Sequence, residues 1–249
     1  MSKYIGIEWV VNYRNRYPYL ANSGRNAKRF LYALTQSVVP PPPHFEHGDT
    51  TAIMARGRHF ERDLTTTLTI AGVIPDGPEA PFGEADAFAE IVDILYFSGH
   101  GHYYQLIFSD TSLMDDEEAR NTEMQLGRLG KLKWLVADAC KVLNNVGVIR
   151  RWGIAFHGLR YLLGFDGDCR DESNRGRYFA NQLKLNDTIQ HAWELACLEN
   201  EDGSVPWAYL HAGGPRTPIE NDRWTMEVFV APTEDPPVFT YVRNEAPDT

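Results

Sequence analysis

The chain lacks the features that mark several common classes of protein. It has only three cysteines, Cys140, Cys169 and Cys197, and their wide spacing contains none of the Cys-x-x-Cys clusters of zinc sites. Apolar runs of about 18 residues, the minimum for a membrane span, are absent, and the first residues do not resemble a secretory signal. We therefore predict a cytoplasmic protein, and because three thiols cannot all pair, we predict that the cysteines are reduced.

Positive charge is also scarce. The 24 lysines and arginines are outnumbered by 34 aspartates and glutamates, which gives a formal net charge of −10 at pH 7. No basic cluster interrupts this acidic background, so we expect neither a nucleic acid nor an anionic membrane as a partner. Any ligand that is steered by charge is expected to be basic. Charged residues at 23% and hydrophobic residues at 43% are typical of an ordinary globular domain.

Segments with strand-like and helix-like patterns alternate along the chain. The patterns predict a first strand within residues 4–13 and buried strands at 91–97, 132–136 and 159–165. They predict helices at residues 24–36, near 177–185 and 188–198, and around 142–152. Such alternation favours an α/β fold, a three-layer α/β/α sandwich with a mostly parallel sheet.

The remaining segments are predicted to be less regular. Four prolines at positions 40–43 are expected to open an irregular loop that continues to about residue 60. The tail carries strand-like runs at 224–230 and 238–242, separated by prolines that suit edge strands. We therefore predict a single domain over residues 1–249, with 207–249 as a C-terminal extension of strands and loops.

Two of the predicted buried strands lead into reactive side chains. The first is followed by Ser98-Gly99-His100-Gly101 and the second by Asp138-Ala139-Cys140. Reactive groups of parallel α/β sheets collect beyond the carboxyl ends of the strands, so we expect His100 and Cys140 at one edge of the sheet. A thiolate is a strong nucleophile, and a nearby imidazole can activate it by proton transfer or charge. The pattern predicts a Cys140–His100 catalytic dyad.

These motifs resemble the His-Gly and Ala-Cys signature of the caspase-like cysteine peptidase clan, which includes caspases, metacaspases, clostripain, gingipains and legumain. Residues 6–10, 132–135 and 158–165 are also similar to an uncharacterised bacterial domain family of that clan. The resemblance spans roughly residues 4–199. It implies a caspase-like domain and a cysteine endopeptidase that acts on a peptide or protein through an acyl-enzyme. We predict no cofactor.

The resemblance also implies a role for particular residues. Cys140 would attack the substrate and His100 would protonate the leaving amine, while the backbone N–H groups of Gly101 and Cys140 would form the oxyanion hole. Asp138 stands where metacaspases place an acid that selects a basic residue before the cleaved bond. Glu8, on the first strand, is a weaker candidate for the same substrate-binding role.

Alternative functions are compatible with the same residues. An acyl-enzyme can be resolved by an amine instead of water, which would make the protein a peptide cyclase or transpeptidase. A caspase-like fold without turnover would be a binding module, since fold does not determine function. His100 and His102 could also bind a metal with His157 or Cys140 as a third ligand, although we predict no metal site.

The other cysteines and several arginines have weaker assignments. Cys169 and Cys197 follow no comparable motif and are expected to be structural or incidental. Self-cleavage would be expected at exposed basic residues, and the candidates are Arg150, Arg151, Arg170, Arg175 and Arg177.

Overall fold

A central sheet of seven strands organises the protein. The computed structural model describes residues 5–9, 17–35, 52–56, 92–102, 105–107, 113–114, 126–127, 132–144, 147–201, 205–213, 222–225 and 238–244. Its strands are β1 Ile5–Trp9, β2 Ala52–Arg56, β3 Ile94–Ser98, β4 Gly101–His102, β5 Gln105–Ile107, β6 Leu113–Met114, β7 Trp134–Asp138, β8 Tyr161–Phe165, β9 Trp207–Ala212 and β10 Phe239–Arg243. The large sheet has the order β10-β9-β8-β7-β3-β1-β2, and β4, β5 and β6 form a small antiparallel sheet.

The large sheet is mostly parallel. Strands β2, β1, β3, β7 and β8 run in the same direction, whereas β9 pairs antiparallel with β8, and β10 pairs antiparallel with β9 at the edge of the sheet. The described residues include four α-helices, which are α1 Ser23–Thr35, α2 Val148–Trp152, α3 Arg175–Lys184 and α4 Ile189–Asn200. The fold is therefore mixed α/β. Within the described part of the chain, no helix combines the length and the apolar character needed to cross a membrane.

Alternate side chains of the strands supply two hydrophobic cores. Ile94 and Tyr96 belong to the core that also contains Phe30 of α1 and Phe179 of α3. Their neighbours in β3 belong to the core on the other side of the sheet, together with Trp152 of α2. Every residue of β3, β7 and β8 is buried, which explains why these strands read as continuous apolar runs.

The predicted central strands and the helices α1, α3 and α4 are confirmed. The predicted irregular loop over residues 40–60 is wrong in part, because residues 52–56 form β2, which pairs in parallel with β1. β2 has few β-branched residues, so its strand conformation reflects pairing with β1 more than local propensity. The sequence pattern also missed β9, while β10 at the edge confirms the strand predicted at 238–242.

One predicted helix is shorter than expected, and one predicted strand lies largely outside the described residues. The segment predicted as helical over 142–152 begins with turns, and α2 starts only at Val148, after Gly147 in the left-handed conformation. Of the strand predicted at 224–230, residues 226–230 lie outside the described residues.

Helices α1 and α3 approach each other closely at Gly176. A Cβ atom at this position would lie 2.8 Å from both the Asn26 carbonyl oxygen and the Phe30 Cβ atom. The Gly176 N–H also donates to the Asn26 side-chain oxygen at 2.7 Å. The absence of a side chain at Gly176 therefore determines how closely the two helices pack.

We expect Gly176→Ala to lower the free energy of unfolding by about 1–3 kcal/mol, because the added methyl group must displace backbone atoms of α1. Urea denaturation monitored by circular dichroism measures this change. Asn181→Ala, an exposed position of the same helix, is the matched control and should stay within about 0.5 kcal/mol of the wild type. Equal stabilities of the two variants would contradict the close packing.

Candidate active site

The ends of two neighbouring strands bring the predicted dyad to one cleft. β3 and β7 are adjacent and parallel, and Ser98 lies opposite Asp138 in their register. The segments that follow therefore leave the sheet side by side, and His100 and Cys140 both line the same cleft. The strand order thus places the two motifs at the same edge of the sheet, as predicted from the sequence.

Gly101 shows how tightly the two motifs pack. A Cβ atom at Gly101 would lie 2.5 Å from the Cys140 carbonyl oxygen and 2.9 Å from the Ala139 Cβ atom. Such distances are too short for any side chain, so glycine after the histidine allows the two segments to touch through their backbones. The role of the Gly101 and Cys140 amides as an oxyanion hole stays a prediction.

His100 is held in a defined orientation. Its Nε2 atom lies 2.8 Å from the backbone oxygen of Pro18, and the ring stands 5.5 Å from that of Tyr17. Because a carbonyl oxygen only accepts hydrogen bonds, Nε2 carries the proton. In the neutral ring Nδ1 is then the basic nitrogen, which is the state required of a general base.

The environment of Cys140 favours the thiolate. The Cys140 Sγ atom lies 3.3 Å from the Cys169 Sγ atom and accepts the Cys169 N–H at 3.2 Å. The hydrogen bond from the Cys169 thiol lowers the pKa of Cys140, although burial opposes this effect. The same hydrogen bond, together with burial, raises the pKa of Cys169 well above its usual value, so Cys169 is the protonated donor of the pair.

The turn after Cys140 is anchored to the next loop of the fold. Lys141 has a left-handed backbone with φ of 57°, which is unusual for a residue other than glycine. Its N–H donates to the Gly167 oxygen at 2.9 Å, and its ammonium group pairs with Asp168 at 2.8 Å. These contacts hold the Cys140 turn against the loop that carries Cys169.

Asp138 lies at the cleft in a buried polar network. One carboxylate oxygen accepts from Arg175, and the other accepts from the Asn26 amide at 2.5 Å and the Tyr96 hydroxyl at 2.6 Å. Arg175 also donates to Glu201, and both side chains are almost fully buried. Both oxygens of Asp138 therefore already accept hydrogen bonds within the protein. In its predicted role in substrate selection, Asp138 would act through its charge and not through a direct hydrogen bond.

Two further carboxylates lie at the cleft itself. Asp171 and Glu172 line it and are half-buried, and the Asp171 side chain accepts the backbone N–H of Asn22 at 2.9 Å. The exposed Arg170 lines the same wall. Together with the carboxylates of the buried network, these groups give the region an excess of negative charge.

The remaining predicted residues are Glu8, His102 and His157. Glu8 pairs with Phe97 of β3, so it belongs to a strand that is one position further from β7, and its side chain is outside the described part. His102 belongs to the small sheet and is exposed, as is His157. Among the described residues, no group of three or more His, Cys, Asp and Glu is arranged to hold a metal ion.

One expectation from the sequence is wrong, and another is made more specific. Cys169 was expected to be structural or incidental, and its thiol contacts that of Cys140. Arg175 was expected to be an exposed cleavage site, but its side chain is 1% exposed and paired with two carboxylates. No local signal identifies either residue, because each meets its partners through the packing of segments that are distant in sequence.

One protein-family model matches nearly the entire chain. The family model of a domain of unknown function, DUF6345, matches residues 7–244. The chain belongs to this family. The match includes all the residues that line the cleft. No curated protein matches the chain, so the chemistry of this DUF6345 domain must be argued from its own geometry.

The hydrogen bond from Cys169 predicts a measurable effect on Cys140. In the wild type, the rate of Cys140 alkylation should rise with a midpoint below the ordinary cysteine pKa of about 8.5. Cys169→Ala should move this midpoint upward, because the thiol donor is lost while the backbone N–H remains. Iodoacetamide labelling across pH, read by peptide mass spectrometry, gives the midpoint.

Cys197→Ala is the matched control for this experiment. Cys197 is buried in α4, and burial raises the pKa of its thiol. Its replacement should leave the Cys140 midpoint unchanged. If Cys169→Ala also left the midpoint in place, the thiol of Cys169 would have no part in stabilising the Cys140 thiolate.

Proposed function

We propose that the protein is a cysteine peptidase or peptide-processing hydrolase, a caspase-like three-layer α/β/α domain that acts through an acyl-enzyme on Cys140. The observation that carries this proposal is the meeting of Cys140 and His100 in one cleft, at the ends of adjacent parallel strands. The contact with Pro18 orients the His100 ring and places the proton of the neutral ring on Nε2, and the contact with Cys169 lowers the pKa of Cys140, and both support the proposal.

The proposed reaction has two steps. His100 accepts the thiol proton on Nδ1, and the Cys140 sulfur attacks the peptide carbonyl carbon. The imidazolium then gives the proton to the departing amine, which leaves a thioester. In the second step His100 takes a proton from water, the hydroxide displaces the sulfur, and the proton returns to the thiolate. The N–H groups of Gly101 and Cys140 would stabilise the oxyanion in both steps.

The charge of the cleft supports a substrate with a basic residue before the cleaved bond. The buried network contains two carboxylates, Asp138 and Glu201, and one guanidinium, Arg175. Asp171 and Glu172 add two negative charges at the cleft, against one positive charge from Arg170. A lysine or arginine side chain of the substrate would be attracted there, with Glu172 as the direct contact and Asp138 acting at longer range.

We expect Cys140→Ala to abolish peptide turnover and His100→Ala to reduce kcat/KM by about 10²–10⁴-fold, the usual contribution of a positioned proton-transfer group. Cys197→Ala and His157→Ala are the matched controls and should keep near-normal rates. Fluorogenic peptides that end in arginine or lysine, followed by mass analysis of the products, provide the measurement.

The outcomes of this experiment separate the candidate functions. Products that have gained water indicate hydrolysis, whereas products joined to an added amine would identify a transpeptidase. A thiol-reactive arginine peptide should label Cys140 alone in the wild type and nothing in Cys140→Ala. Labelling spread over all three cysteines, with no turnover of any peptide, would contradict the proposal and favour a binding module.

The preference for a basic residue has its own test. Glu172→Gln should lower kcat/KM for an arginine substrate by roughly fivefold, the effect of losing about 1 kcal/mol of attraction between partly solvated charges. An otherwise identical peptide with a neutral residue should be cleaved at an unchanged rate. Glu199→Gln, an exposed carboxylate of α4, serves as the control. Parallel loss for both peptides would argue against charge selection by Glu172.

A further inference from the structure

The contact between Cys140 and Cys169 has a chemical meaning beyond hydrogen bonding. The two residues are 29 positions apart in sequence, yet their sulfur atoms are 3.3 Å apart. Both are free thiols, both are half-buried, and both line the cleft. The third cysteine, Cys197, is 1% exposed within the core and does not share this setting. The cleft is therefore lined by an adjacent pair of thiols.

The two thiols of the pair are not equivalent. The Cys140 sulfur accepts the backbone N–H of Cys169 and contacts the Cys169 thiol, and it lies 3.4 Å from the Cys169 carbonyl oxygen, to which a protonated Cys140 donates. The pKa of Cys140 is lowered by the contact with the Cys169 thiol, whereas the pKa of Cys169 is raised by that contact and by burial. Oxidation by a hydroperoxide begins at a thiolate that is accessible, and it becomes reversible when a second thiol stands next to it. Cys140 meets the first condition and Cys169 supplies the second.

We propose that Cys140 and Cys169 form a reversible redox modification site, in which a hydroperoxide converts the two thiols into an intramolecular disulfide. In the first step the Cys140 sulfur attacks one peroxide oxygen, the O–O bond breaks, and Cys140 becomes a sulfenic acid, while the other oxygen leaves as hydroxide and takes up the proton released by the Cys140 thiol to form water. In the second step the Cys169 sulfur attacks the Cys140 sulfur, the S–O bond breaks, and water leaves with the Cys169 proton. Two thiols are oxidised, and one hydrogen peroxide is reduced to two waters.

The surrounding structure favours closure of this bond. Cys169 lies in the loop between β8 and α3, and this loop is held against the Cys140 turn by the Lys141 N–H bond to Gly167 and the Lys141–Asp168 ion pair. Since the sulfur atoms are already in contact, bond formation needs rotation of the side chains and only a small approach of the two segments. A disulfide there would remove the Cys140 nucleophile and return it upon reduction by an external thiol.

The inference depends on the two thiols and not on peptidase activity, so it can be tested without a substrate. Reduced wild-type protein is exposed to dilute hydrogen peroxide, its remaining thiols are blocked with N-ethylmaleimide under denaturing conditions, and it is digested without reduction. We expect a cross-linked peptide that joins Cys140 to Cys169, with Cys197 blocked as a thiol. The intact protein should lose two hydrogen atoms, and dithiothreitol should restore labelling of Cys140.

Two variants make the experiment decisive. Cys169→Ser keeps a hydrogen-bond donor but cannot close the bond, so peroxide should leave a sulfenic acid on Cys140 that reacts with dimedone. Cys197→Ala is the matched control and should form the same cross-link as the wild type. A dimedone adduct or a sulfinic acid on Cys140 of the wild type, without the cross-link, would overturn the proposal. A cross-link that instead contains Cys197 or joins two molecules would overturn it as well.

Discussion

The buried Arg175 guanidinium, bound between Asp138 and Glu201, is the interaction on which the site depends. Charges in a protein interior are tolerated only when they are paired, and removal of one partner typically costs about 3–5 kcal/mol. Burial disfavours the charged guanidinium, but the Asp138 carboxylate outweighs this effect and raises the pKa of Arg175, so the group stays charged. The three side chains thereby connect the end of β7, the start of α3 and the end of α4.

This buried charge network of Asp138, Arg175 and Glu201 also determines where the reactive thiols lie. Asp138 immediately precedes Ala139 and Cys140, so fixing its carboxylate fixes the start of the turn that presents the Cys140 thiol. Arg175 donates to the Arg170 carbonyl oxygen at 3.3 Å, and the Arg170 N–H donates to Glu201 at 3.1 Å. Cys169 immediately precedes Arg170 in the chain. One buried charge network, of which Asp138 and Arg175 line the cleft, therefore holds both members of the thiol pair.

Much of the fold was predictable because its strongest signals are local. β3, β7 and β8 are buried on both faces, so each appears in the sequence as an apolar run, and α1, α3 and α4 show helical periodicity. β2 was missed because it has little intrinsic strand preference and owes its conformation to pairing with β1. The sequence pattern also missed β9, an antiparallel strand in which aromatic side chains and a buried His211 interrupt the apolar run.

The sequence by itself determined that His100 and Cys140 would meet, because each follows a buried strand and the carboxyl ends of neighbouring parallel strands share one edge of the sheet. Only the tertiary structure decided which groups surround them. Cys169, Arg175 and the carbonyl oxygen of Pro18 come from loops and helix starts, where no periodic pattern specifies a position. Their approach depends on how helices pack on the sheet and on the need to neutralise buried charge, and both are properties of the assembled fold.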